Sequence, residues 1–194
     1  MTTLIIARHG NTFDKDDTPT RVGAHTDLPL VEKGEEQARS IGRYLKENRL
    51  IPDTVYTSKL QRTIQTAKIA IKESGVTNPI FELDIFNEVD YGPDENKPED
   101  KVIARIGEQA IKDWDEQAKV PDGWVVDPDE IIQNWHQFAD QICAFDDNET
   151  TLVVTSNGVA RFAPYITGDF EGFRAAHNIK LSTGALAILK HDQE

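Results

Sequence analysis

The chain has 194 residues, 38% of them hydrophobic, which is enough to bury one sizeable core and predicts a single domain spanning 1-194. With 34 acidic against 21 basic residues the formal charge is -13, which argues against nucleic acid or a membrane surface as the main partner and leaves any anionic ligand to a local cluster of cations. The single cysteine, Cys143, cannot form an internal disulfide, and no stretch reads as a signal sequence or a membrane span, so the expected location is cytoplasmic.

The chain opens on an apolar run, Leu4, Ile5, Ile6 and Ala7, that ends in Arg8, His9 and Gly10. This pattern predicts a buried strand whose carboxyl end delivers a guanidinium and an imidazole, and open α/β sheets bind ligands at that end. A neutral imidazole is a competent nucleophile toward phosphorus, an adjacent guanidinium can grip phosphoryl oxygens in bidentate fashion, and glycine permits close backbone approach. Taken alone, such a tripeptide reads better as an ordinary strand end with an incidental polar pair. Residues 13–31 follow as a loop broken by Pro19, Gly23 and Pro29, and loops of that length tend to be functional. Residues 32–48 carry Ala38, Ile41, Gly42 and Leu45 at the spacing of a helix with one buried stripe.

A brief strand is predicted over 54–57, and Ser58 with Gln61 forms a capping-box pattern opening a helix to about residue 73. Leu60, Ile64, Ala67 and Ile71 form its inward stripe. Arg62 lies off that stripe in the first turn, near the second strand end and the positive helix terminus, although a solvated surface arginine reads the same way. A third strand is predicted over 79–83, then an acidic loop over 84–100 with Glu88, Asp90, Asp94 and Glu95; charge runs usually mark a solvated face. Two helices over 101–118 and 129–145, joined by 120–128, form a helical cap or insert about 98-146, with Trp114 and Trp135 as packing residues. Residues 150–155 make the clearest buried strand of the second half, turned into another helix by Ser156, Asn157 and Gly158. Segments 179–181 and 185–189 read as two closing strands.

Alternating strands and helices of this kind predict an α/β fold, a three-layer α/β/α sandwich with a mostly parallel central sheet. Its geometry brings His9, Arg62, Glu88 and Asn157 from four successive strand ends to one sheet edge. All four are residue types useful in phosphoryl transfer.

With these residues in view, the sequence resembles the histidine phosphatase superfamily, the group that includes phosphoglycerate mutase-like enzymes, over nearly the whole chain. Arg8-His9-Gly10-Asn11-Thr12 looks like the family signature; Asp27-Leu28-Pro29-Leu30 with Lys33-Gly34 and Gln37-Ala38 is similar to the next block. Ser58, Leu60, Arg62, Thr66 and Ala67 resemble the block that supplies a second arginine, and Glu88-Val89-Asp90-Tyr91-Gly92 the segment that supplies a proton donor. The resemblance implies a phosphoglycerate mutase-like fold and catalytic roles for His9, as the phosphorylated histidine, and Glu88. It also implies phosphate binding by Arg8 and Arg62 together with Asn11. Two departures enter the same site. Asn157 stands in the place of a second histidine, where its amide can donate a hydrogen bond but carries no charge, and Lys15 stands in the place of a phosphate-contacting asparagine, restoring a cation. Pro93-Asp94-Glu95-Asn96 replaces a common Trp-Glu-Gly turn, and the spacing from Gly23 to Asp27 is one residue longer than usual.

The implied activity is metal-free, cofactor-free hydrolysis of a small phosphorylated metabolite through a phosphohistidine. A phosphoglycerate-mutase-type phosphotransferase and a phosphate-binding regulatory protein weakened at Asn157 are the alternatives. Among the other histidines, His25 lies where it could reach substrate, His177 could stand in for the missing imidazole, and His136 reads as structural. No histidines and acids show metal-ligand spacing.

Overall fold

The opening apolar run forms β1 (Thr2–Arg8), which lies between β4 (Thr150–Thr155) and β5 (Leu186–His191) in a five-stranded sheet. The structure is a computed structural model that describes residues 1–145 and 148–191; position 146 of the expected cap and 192–194 lie outside the described residues. The sheet order is β3-β2-β4-β1-β5, with β2 (Thr54–Thr57) and β3 (Ile80–Glu82) completing it. All neighbours run parallel except β1 and β5.

The central strands β1 and β4 are buried on both faces, which is why β1 reads as a continuous apolar run. Alternate residues serve different cores. Ile5, Ala7, Val55, Leu152 and Val154 pack against Ile41 and Leu45 of α1 (Glu32–Glu47) and Ala67, Ala70 and Ile71 of α2 (Gln61–Ser74). On the opposite face Leu4, Ile6 and Val153 join Trp135, Phe138 and Ile142 of α5 (Pro128–Phe145). Helix, sheet and helix therefore stack in the three layers that the pattern predicts, and Trp114 and Trp135 are both fully buried in the second core. Among the described residues no helix is long and apolar enough to cross a membrane.

Three local expectations fail for physical reasons. The residues read as one helix over 101–118 form two, α3 (Glu99–Ile106) and α4 (Glu108–Gln117), because Gly107 sits at φ 84, a left-handed conformation that ends one helix and starts the next. The capping box does not form: α2 begins after Leu60, while the buried Ser58 hydroxyl accepts from the Leu60 N–H at 3.2 Å and pairs with Thr63 Oγ1 at 2.6 Å. Residues 179–181 make no strand. The Leu181 N–H is spent on Asn157 Oδ1 at 2.9 Å and its carbonyl on Arg8 Nη1 at 2.6 Å, so both polar backbone groups serve side chains of the candidate site instead of a ladder.

Candidate active site

Parallel strands put their carboxyl ends on one edge, and the chain leaves each end with a polar residue. The β1–β4 ladder runs to Arg8 opposite Thr155, and the His9 N–H continues it by donating to the Thr155 carbonyl at 3.1 Å. Thr155 Oγ1 in turn donates to the Phe86 carbonyl at 2.7 Å, fastening the end of β4 to the segment that carries Glu88. A cavity of about 1140 Å³ opens over this edge, and Arg8, His9, Asn11, Lys15, Glu88 and Asn157 all line it.

His9 is buried, and its ring is oriented at both nitrogens. Nδ1 lies 2.8 Å from the Gly10 carbonyl, an acceptor only, so the proton sits on Nδ1 and the lone pair on Nε2. Burial, then the charges of Arg62 and Arg8, hold the ring well below its ordinary pKa of 6.5. The imidazole is therefore neutral at neutral pH, with a nucleophilic nitrogen available.

Arg62, for which a solvated surface position was the alternative, is completely buried. Its guanidinium sits against the attacking nitrogen, Nε–H donating to His9 Nε2 at 3.2 Å. Its remaining nitrogens are held by the loop carbonyls of Thr26 at 2.8 Å and Gly23 at 3.3 Å. Arg8 reaches the cavity from the other side, with Nη1 on the Leu181 carbonyl and a buried Nε that has no hydrogen-bond partner among the described residues. An unsatisfied guanidinium N–H beside a neutral imidazole is what an anion site needs.

Glu88 is buried and held by three donors. Oε1 accepts from the Val89 N–H at 2.8 Å, and Oε2 from the Gly158 N–H and the Tyr91 hydroxyl, each at 3.2 Å. Burial, then the Glu88 charge, pushes the Tyr91 phenol up, so it stays a neutral donor. Asn157 directs Oδ1 to the Leu181 N–H, which leaves the amide hydrogens for the cavity. Asn11 is fixed through its N–H on Gln37 and its Oδ1 on the Thr183 hydroxyl. Lys15 is exposed at the mouth.

The acidic loop is not the solvated face that its charge predicts. Asp94 is buried and takes hydrogen bonds from Arg105 and from Trp124 Nε1 at 2.7 Å. His25 pairs with Asp90 at 3.0 Å instead of entering the cavity, and His177 is exposed with its ring against Phe173, so it does not replace an imidazole.

A further cation escaped the sequence reading. Arg161 is buried, lines the cavity, donates from Nε to the Asn157 carbonyl at 3.2 Å, and stacks its guanidinium 3.9 Å from the Trp114 ring. The available signal was its position one helical turn after Asn157. Arg161 and Lys180 share Asp115, at 3.6 Å and 2.6 Å. No cluster of three or more His, Cys, Asp or Glu among the described residues could hold a metal ion.

Comparison with known proteins points the same way. The family model described as histidine phosphatase superfamily (branch 1) matches residues 4–194. A 2,3-bisphosphoglycerate-dependent phosphoglycerate mutase of Clavibacter michiganensis subsp. michiganensis is 30% identical over 195 residues, covering 97% of this chain and 75% of the relative. A protein of the same description from Tropheryma whipplei is 35% identical over 116 residues, 59% of this chain and 51% of that one, so the aligned part spans about half the relative's length. The structure of Bacillus stearothermophilus YhfR superposes with a TM-score of 0.75 at 24% identity, over 99% of this chain and 92% of the other. At that identity the likeness shows the fold.

Proposed function

The chain belongs to the histidine phosphatase superfamily, and from that premise we propose that it hydrolyses small phosphomonoesters through a phosphohistidine at His9. The observation that carries the reading is the pairing of a neutral His9, its Nε2 facing a guanidinium, with Glu88 in the same cavity. His9 Nε2 attacks phosphorus in line, forming the N–P bond as the P–O bond to the leaving alcohol breaks. Arg8 takes up charge on the equatorial oxygens, Arg62 passes its Nε–H from Nε2 to one of them as the N–P bond forms, and Glu88, which takes up a proton as the phosphate dianion enters beside it, gives that proton to the leaving oxygen. Glu88 then removes a proton from water as water attacks phosphorus, the N–P bond breaks, and phosphate leaves His9 neutral.

Hydrolysis is favoured over phosphotransfer by the charge of the outer cavity. Its wall holds Asp14, Asp16, Asp17, Glu32, Glu36 and Glu99, while Arg21 is engaged by Glu99 at 2.7 Å and Lys180 by Asp115. A second phosphate has few unengaged cations to meet there. The mutase reading draws on the names of the sequence relatives and on Arg161 within the cavity.

The test is turnover of an aryl phosphate and of a panel of phosphorylated metabolites, with and without chelator and with phosphoglycerates added as phosphoryl acceptors. Chelator-resistant release of inorganic phosphate, abolished in His9→Ala, is expected. Transfer to the acceptor instead of water establishes the mutase reading. Phosphate binding without turnover establishes the regulatory one, and chelator-sensitive turnover overturns the metal-free mechanism.

A further inference from the structure

Glu95, read from sequence as one more acid in a charged run, is a hub. Its Oε1 accepts from the Gly23 N–H at 3.0 Å, the His25 N–H at 3.1 Å and the Thr26 hydroxyl at 2.8 Å, and Oε2 accepts from the Tyr91 N–H at 3.4 Å. The loop bound in this way presents its other side to Arg62, through the carbonyls of Thr26 at 2.8 Å, Gly23 at 3.3 Å and Val22 at 3.5 Å. We propose that Glu95 is a positioning residue that holds Arg62 against His9 by fastening the loop on which the guanidinium rests, an inference that takes His9 as the nucleophile.

The chemistry supports a relay in preference to a simple loop anchor. The peptide between Val22 and Gly23 gives its N–H to the Glu95 carboxylate and its carbonyl to the Arg62 guanidinium, so its dipole is aligned between an anion and a cation. Hydrogen bonds arranged in series between opposite charges polarise one another. Arg62, pinned at its outer nitrogens, has one direction left for Nε–H, which is His9 Nε2. The closeness is enforced sterically: a Cβ built on Gly23 would stand 2.1 Å from Glu95 Oε2 and 2.7 Å from Tyr91 Cδ2.

The test reads His9 itself. The charged groups acting on its ring are Arg62 from α2 and Arg8 from β1, with the Gly10 carbonyl on Nδ1 and Glu88 across the shared cavity. The His9 ring is titrated by NMR in the full chain as wild type, Glu95→Ala, Glu95→Gln and Arg62→Gln, alongside kinetics on an aryl phosphate. In Glu95→Ala the His9 titration is expected to move up toward 6.5, and kcat to fall about 10-fold to 100-fold with a smaller change in KM. Glu95→Gln, which keeps an acceptor oxygen, is expected to recover most of both. Combining Glu95→Ala with Arg62→Gln should add nothing to Arg62→Gln alone. Thr26→Val, which removes one of the four bonds, gives a smaller shift in the same direction and serves where Glu95→Ala does not fold. An unmoved His9 titration in a folded variant, or additive effects in the double variant, overturns the proposal. Absence of turnover in the wild type, with the His9 titration still following Glu95, retires the hydrolase reading and leaves the positioning role standing.

Discussion

The Nε of Arg62 lies 3.2 Å from Nε2 of His9, so the nitrogen assigned to attack phosphorus is already hydrogen-bonded to a buried cation before any substrate arrives. That contact has two effects. It keeps a proton off Nε2, and it stores beside the nucleophile a donor that can be handed to a phosphoryl oxygen as the N–P bond forms. Arg62→Gln is expected to lower kcat/KM about 100-fold to 1000-fold, the usual range for losing a preorganised donor. Arg62→Lys should recover little, because a point charge reproduces neither the fork on the loop carbonyls nor the Nε–H on His9. Steady-state kinetics on an aryl phosphate, with circular dichroism to establish folding, decide it; near-wild-type kcat/KM in Arg62→Gln removes Arg62 from the site.

The depressed pKa of His9 gives a signed pH dependence. In the unfolded chain the ring takes a proton near 6.5, whereas in the folded protein burial, Arg62 and Arg8 delay protonation to lower pH. Between those two values the unfolded state binds more protons, so stability falls as pH drops below 6.5, by up to about 1.4 kcal/mol per pH unit, and His9 has no such effect above about pH 7. Urea unfolding at pH 8 and pH 5.5 should show wild type losing more stability than His9→Gln. Equal losses show that His9 titrates normally.

Asn157 offers the cavity an uncharged donor where an imidazolium can supply charge. Asn157→Ala is expected to lower turnover of small phosphomonoesters about 10-fold to 100-fold. Asn157→His should raise turnover above wild type, its ring protonated at both nitrogens with Nε2–H facing the phosphate, although the Leu181 N–H then loses the acceptor that Asn157 Oδ1 provides. An unchanged or lower kcat in a folded Asn157→His variant counts against a missing charge as the rate limit.

Much of this site could be read from the chain because each strand end is followed within a few residues by the side chain it delivers: His9 directly after β1, Asn157 two residues after β4, Arg62 in the first turn of α2. Local periodicity placed those at the sheet edge, and the family resemblance suggested their roles. Glu95, Leu181 and the stacking of Arg161 on Trp114 were illegible for the opposite reason. Their roles come from partners 24 to 72 residues away, at Gly23, Trp114 and Asn157, and nothing local distinguishes a hub carboxylate from a solvated one. The same holds for the strand expected over 179–181, whose apolar residues fit a ladder until its backbone groups are claimed by Arg8 and Asn157.

The assignment of Glu88 as proton donor can be separated from a general contribution to folding by varying the leaving group. An alkyl alkoxide needs a proton as it departs, whereas a nitrophenolate departs without one, so loss of the general acid should be felt only by the first. Glu88→Gln keeps an oxygen for the Gly158 and Tyr91 donors and is expected to lower kcat/KM, which reports phosphorylation of His9 alone, about 100-fold to 10000-fold on alkyl phosphates and no more than about 10-fold on nitrophenyl phosphate, while kcat falls for both because the base for water is lost. Gly158→Ala probes the same group from behind: a Cβ at that position would meet Glu88 Oε1 at 2.2 Å and Val89 Cγ2 at 2.8 Å, so the carboxyl must shift although its chemistry is unchanged. The same leaving-group dependence, smaller in size, is expected from Gly158→Ala. If both variants lower kcat/KM on alkyl and nitrophenyl substrates by equal factors, Glu88 supports the site without delivering a proton, and the acid must be sought elsewhere in the cavity.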